Sequence, residues 1–116
     1  MNELTNVFKV LSDETRLRII MMVFQKKLCV CELCEVLKVS QSKISRNLSK
    51  LRDMNFVAFE RREKFIFYSL KMDNRVLVSV VKDILDDIDE YPDLLEDQKK
   101  IIDIERVLKK CNFKHD

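Results

Sequence analysis

The chain has 116 residues, 36% of them charged, and a net charge of +2. That length supports one domain with a modest core and excludes two independent ones. No apolar run reaches the length of a membrane span, and no basic stretch followed by an apolar one marks a signal peptide. The expected location is therefore the cytoplasm, where thiols stay reduced.

With no glycine and one proline, the composition suits helices with short connections and not a sandwich or barrel full of tight turns. Leu4, Val7, Phe8 and Leu11 follow helical spacing, which predicts a first helix over residues 2–11. Ser12 and Asp13 offer N-cap oxygens for a second helix over 14–26, with Leu17, Ile20, Met21 and Phe24 as its apolar stripe. A short third helix is expected at 30–37, with Leu33 and Leu37 facing inward. Ser40 caps a fourth, Gln41 to Met54, which buries Ile44, Leu48 and Leu51 and turns Gln41, Ser42, Lys43, Ser45, Arg46, Asn47 and Lys50 outward. Phe56–Arg61 and Phe65–Leu70 are rich in aromatic and β-branched residues and flank the charged tip Arg62-Glu63-Lys64, the pattern of a β-hairpin. Asp73 is the expected cap of a long helix to about Asp89. Pro92 suits the first turn of a last helix ending near Cys111.

This order predicts a mainly α fold with a small β-hairpin, a winged helix-turn-helix. Residues 1–90 are expected to form the DNA-binding domain, and residues 91–116 an acidic helical extension of it. Charge is distributed accordingly. Residues 40–64 carry seven basic and three acidic side chains, whereas residues 83–105 carry ten acidic and two basic ones. The first region suits a polyanion and the second does not. In this fold Gln41, Ser42 and Ser45 reach base edges, while Lys43, Arg46 and Lys50 hold phosphates or read guanine. Arg61, Arg62 and Lys64 at the hairpin tip lie along the backbone or in the minor groove. The plainer alternative is a pair of ordinary solvated faces.

Three of the four cysteines fall within six residues, in the run Leu28-Cys-Val-Cys-Glu-Leu-Cys34. Cys29, Cys31 and Cys34 are too close to staple distant parts of a fold, so free thiols or a metal site are expected. Thiolates select soft ions over magnesium or calcium. Small buried apolar residues are the competing reading. At about 100° per residue, Cys31 and Cys34 share a helix face about 60° apart, whereas Cys29 and Cys31 stand about 200° apart. One regular helix therefore cannot offer all three sulfurs to one ion. Either Cys29 precedes the helix, or binding unwinds its first turn; the expectation is the second. Cys111 reads as a bystander, and His115, the single histidine, as part of a disordered terminus. Asp83, Asp86, Asp87 and Asp89 read as a solvated face.

Phe8-Lys-Val-Leu-Ser-Asp-Glu-Thr-Arg-Leu-Arg-Ile19, Val39-Ser-Gln-Ser-Lys-Ile-Ser-Arg-Asn-Leu48, Leu51-Arg-Asp-Met-Asn-Phe-Val57 and Arg61-Arg-Glu63 together resemble the ArsR/SmtB family of metal-responsive repressors, over residues 4–90. The resemblance implies a repressor that binds double-stranded operator DNA as a homodimer through its first and fifth helices. The apolar seam for this is Leu4, Val7, Phe8 and Leu11 with Val80, Ile84 and Ile88. It also implies no catalysis and no cofactor for DNA binding. Within the family the cysteine run resembles the As(III) and Sb(III) site of arsenic-responsive members. Three sulfurs without a fourth ligand suit a trigonal-pyramidal ion, where zinc takes four. Asn47 departs from the histidine common at that position, and the wing tip lacks the usual glycine. The rival readings are a sensor of Cd(II), Pb(II) or Cu(I), a thiol-oxidation sensor, and a thiol oxidoreductase built on Cys31-Glu-Leu-Cys34.

Overall fold

The computed structural model describes residues 2–103, and expectations about Cys111 and His115 lie outside them. The elements are α1 (Asn2–Leu11), α2 (Glu14–Gln25), β1 (Leu28–Cys29), α3 (Val30–Leu37), α4 (Gln41–Asp53), β2 (Val57–Arg62), β3 (Phe65–Leu70), α5 (Arg75–Asp86), a 3-10 turn (Ile88–Glu90) and α6 (Pro92–Ile102). They form a winged helix-turn-helix: a helical core, with β2 and β3 as the wing.

The α2 helix is the centre. It touches α1, α5, α6 and β3, so apolar residues on all its sides are covered. Ile19, Ile20, Met21, Met22 and Val23 are buried in succession, where the sequence pattern marks only a stripe. Leu17 and Phe24, two members of that stripe, are only half-buried. Asp13 caps α2 by accepting the Arg16 N–H at 2.9 Å.

Two helix ends differ from expectation. Asn74, not Asp73, caps α5, its side chain accepting the Leu77 N–H at 3.0 Å. The helix stops at Asp86 instead of running to about Asp89, because Asp87 leaves helical geometry (φ −110°, ψ 27°). This break turns the chain so that Ile88 enters the core with Leu94 and Ile101 of α6. The Arg18 guanidinium then fastens α6 to α2. Its Nε donates to Asp97 Oδ2 at 2.9 Å and its Nη2 to Asp97 Oδ1 at 2.8 Å, and Asp97 is 2% exposed. The last helix is thus packed on its own domain. Asp83, Asp86, Asp87 and Asp89 are exposed.

The seam expected between α1 and α5 divides. Val7 and Ile88 are spent on the chain's own core, Leu11, Val80 and Ile84 are half-buried, and Leu4 and Phe8 are exposed, as is Val76, which lies outside the expected seam.

The sheet holds one strand that the sequence pattern does not mark. Its order is β1-β3-β2, all antiparallel. The two residues of β1 are too few for a period-2 signal. The wing closes through Glu63 and Lys64. With no glycine available, Glu63 itself takes the left-handed region (φ 56°) that such turns give to glycine, at a cost of about 1–2 kcal/mol.

The Arg18–Asp97 pair generates a stability prediction. Asp97→Ala leaves a half-buried guanidinium without its carboxylate and should lower unfolding free energy by about 1–3 kcal/mol in urea titrations. A change under about 0.5 kcal/mol, the level of an ordinary surface substitution, would show that α6 is held by its apolar face alone.

Candidate functional site

Leu28 and Cys29 run as strand, and the helix begins at Val30. Cys29 is therefore the N-cap of α3, in extended conformation (φ −97°, ψ 170°). Of the two geometries open to the sequence, this structure has the first: Cys29 precedes the helix. Glu32, three residues on, returns its side chain so that Oε1 accepts the Cys29 N–H at 3.0 Å. The Cys29 sulfur stands opposite the Glu32 N–H, the reciprocal arrangement of a capping box. Glu32 is the residue that sequence reasoning missed. Glutamate at the third helical position was the available signal, hidden because cysteine is not a customary cap.

Both members of this box are 2% exposed. Burial is the main force on each titration. It pushes the Cys29 thiol up to about 12, against a smaller lowering by the Glu32 N–H. It also raises the Glu32 carboxyl, against hydrogen bonds from the Cys29 N–H and thiol that lower it. Burial likewise raises Cys34, which is half-buried.

Cys29, Cys31 and Cys34 line one cleft of about 430 Å³. Its remaining walls come from Val30, from Gln41 at the start of α4, and from Lys64, Phe65, Ile66 and Tyr68 of the wing. The cleft thus touches both parts expected to meet DNA. Its cysteines are not equivalent. Cys29 and Cys34 are free thiols, whereas Cys31 is disulfide-bonded, contrary to the expectation of free thiols throughout. Among the described residues no three His, Cys, Asp or Glu side chains are grouped to hold a metal ion. The three cysteines share a cleft without converging.

The α4 helix presents two faces. Ile44, Leu48 and Leu51 are buried, worth about 1.5–3 kcal/mol each, and they seat the helix. Gln41, Ser42, Lys43, Arg46 and Lys50 are exposed, and Ser45 is half-buried. Ser40 caps the helix by accepting the Lys43 N–H at 3.3 Å. Asn47, expected on the outward face, is half-buried and occupied: it donates to the Lys43 carbonyl at 2.9 Å and accepts from Arg16 Nη1 at 3.5 Å. On the wing Arg61, Arg62 and Lys64 are exposed. Arg52, near the end of α4, lies 5.1 Å over the Phe59 ring and joins helix to wing.

A family described as "Bacterial regulatory protein, arsR family" matches residues 13–58, from the cap of α2 to the start of β2. The arsenical resistance operon repressor of Escherichia coli strain K12 is 43% identical over 65 residues, 55% of this chain and 56% of that protein. The transcriptional regulator HlyU of Vibrio vulnificus CMCP6 is 30% identical, with a TM-score of 0.63 over 68% of this chain and 80% of that one. The chain belongs to the ArsR/SmtB family. The crystal structure of the antimony-specific transcriptional repressor AntR is also similar, with a TM-score of 0.65, 26% identity and coverage of 77% of this chain and 79% of that one. The matches span about half the length of the first curated relatives, 51% and 56%. These ArsR/SmtB relatives are transcriptional regulators, not enzymes. The thioredoxin-like arrangement needed by an oxidoreductase also differs from this one, in which the Cys31–Cys34 pair lies within α3 beside a three-stranded antiparallel sheet. Among the described residues no helix is long and apolar enough to cross a membrane.

The buried thiol gives a pH signature. The unfolded chain ionises Cys29 near 9.0, while the fold holds it neutral to about 12. Below 9.0 both states keep the proton and the contribution is fully present; as pH rises toward 12 it is lost. Urea midpoints measured below 9.0 and midway to 12 should therefore fall more for the native protein than for Cys29→Ser. Parallel trends would mean that the thiol is solvated.

Proposed function

We propose that the protein is an operator-binding repressor whose affinity for DNA falls when As(III) or Sb(III) is held by Cys29, Cys31 and Cys34. The observation that carries this reading is the shared cleft, which brings all three cysteines against the start of α4 and the wing. The similarity to an arsenical resistance repressor and to an antimony-specific one supports the same ligand class. A trivalent metalloid takes three thiolates and needs no fourth ligand, and among the described residues the cleft offers sulfur and no imidazole.

In this reading Gln41, Ser42 and Ser45 meet base edges, and Lys43, Arg46 and Lys50 hold phosphates. Arg61, Arg62 and Lys64 extend the contact along the backbone. Leu4, Phe8 and Val76, apolar and exposed on α1 and α5, supply the seam between two copies.

The ligand-free geometry sets what the chain's own residues do. Cys31 enters as a thiolate, which requires its disulfide to be reduced, as a reducing compartment ensures. Cys29 gives up its place opposite the Glu32 N–H, and its proton leaves as water with a hydroxide of the incoming arsenite or antimonite. Its sulfur then turns from the cap toward the face that carries Cys31 and Cys34. Response is thus a movement of the strand–helix junction, with α3 otherwise kept helical.

Operator titrations in reducing buffer at fixed salt should show a 5- to 150-fold loss of affinity on adding sodium arsenite, the range of about 1–3 kcal/mol typical of allosteric coupling. Cys29→Ser, Cys31→Ser and Cys34→Ser should each bind operator normally and respond weakly. Unchanged affinity of the native protein with saturating arsenite would end this reading.

A further inference from the structure

Cys29 belongs to the cleft and to the sheet at once. In β1 it stands opposite Phe67 of β3, and Leu28 stands opposite Tyr68. Side chains tie the same segment to the wing. Lys27 Nζ lies 3.1 Å from Glu60 Oε1, and Arg62 Nε donates to Glu60 Oε2 at 3.1 Å. The Arg62 guanidinium lies 5.7 Å over the ring of Phe67. These contacts close a circuit from the cysteine segment through Glu60, Arg62 and Phe67 back to Cys29.

The recognition helix is attached differently. Ile44, Leu48 and Leu51 are each within 1% of complete burial. Asn47 is committed to the Lys43 carbonyl and to Arg16. Between α3 and α4 the chain passes through Lys38, which caps α3 in the left-handed region. A shift at Cys29, the cap of α3, thus meets a well-seated α4 at its far end. It meets the wing directly, through a ladder of two residues in which displacement of one removes half the pairing.

We infer that occupation of the cysteine cleft is read out at the wing. In this linkage Phe67 is the positioning residue that couples the backbone of Cys29 to the wing arginines, and α4 keeps its seat. The inference rests on the metalloid-responsive reading above and names the part of the molecule that acts on it.

The test measures operator affinity of the full chain over a series of salt concentrations, with and without sodium arsenite, for the native protein and for Arg61→Gln/Arg62→Gln. Each phosphate contact contributes about 0.9 to the slope of log affinity against log salt. Arsenite should lower the native slope by about 3.6, the share of two wing arginines on each of two copies. The double variant should start from the lower slope and lose no more than roughly twofold in affinity with arsenite, since two changes that remove the same contacts do not add. If arsenite weakens the double variant by the same factor as the native protein, the readout lies elsewhere and the inference fails.

Amide hydrogen exchange gives a second measure that needs no DNA. Arsenite should speed exchange in residues 65–68 and leave residues 44–51 unchanged. The opposite pattern overturns the inference even if the double variant fails to bind operator. Loss of the arsenite effect on native affinity, with the exchange pattern still present, would instead count against the repressor reading and leave the linkage standing.

Discussion

The junction between β1 and α3 constrains everything around it, and one residue, Cys29, makes that junction. An N-cap must be extended while the helix after it is not. Cys29 satisfies this by remaining strand, opposite Phe67, while Val30 begins the helix. Its thiol is thereby placed in the interior, against Glu32, and its backbone is fixed to the wing. A serine or aspartate would be the ordinary choice at such a cap. Cysteine accepts the same position, stays neutral there, and keeps an affinity for soft ions that neither of the others has.

The helical core makes the junction rigid enough to matter. The α2 helix is covered on every side, and α6 is returned onto it by the Arg18–Asp97 pair. Against this frame α3 and α4 pack through Leu33, Val36, Leu37, Ile44 and Leu48. The wing is held at its base by β1, α2 and the end of α4, and its β2 strand is otherwise largely exposed. Its turn carries Glu63 in a conformation costly for any residue but glycine. The chain therefore joins a firmly held reading helix to a lightly held wing, and the cysteine cleft lies between them.

Much of the site was legible from residue type and spacing. The cysteine run, the two faces of α4 and the basic hairpin tip are local features, and local periodicity reports them. The 200° between Cys29 and Cys31 already showed that one regular helix cannot gather three sulfurs. Glu32 was not legible as a cap partner, because its role depends on a cysteine acting as N-cap. The fate of Asn47 was also hidden. It lies on the polar face by spacing, yet Arg16 reaches it from α2, thirty-one positions earlier.

By itself the sequence determined the helices, the hairpin, the core stripe of α4 and the clustering of soft ligands, because each is set by neighbours within a few positions. Tertiary structure alone decided which side of the helix start Cys29 occupies, that β1 pairs with the wing, that α2 is buried on all faces, and that α6 folds back onto it. These depend on pairings between residues some forty to eighty positions apart, such as Cys29 with Phe67 and Arg18 with Asp97. No periodicity encodes such pairings, since they exist only once the chain has closed on itself.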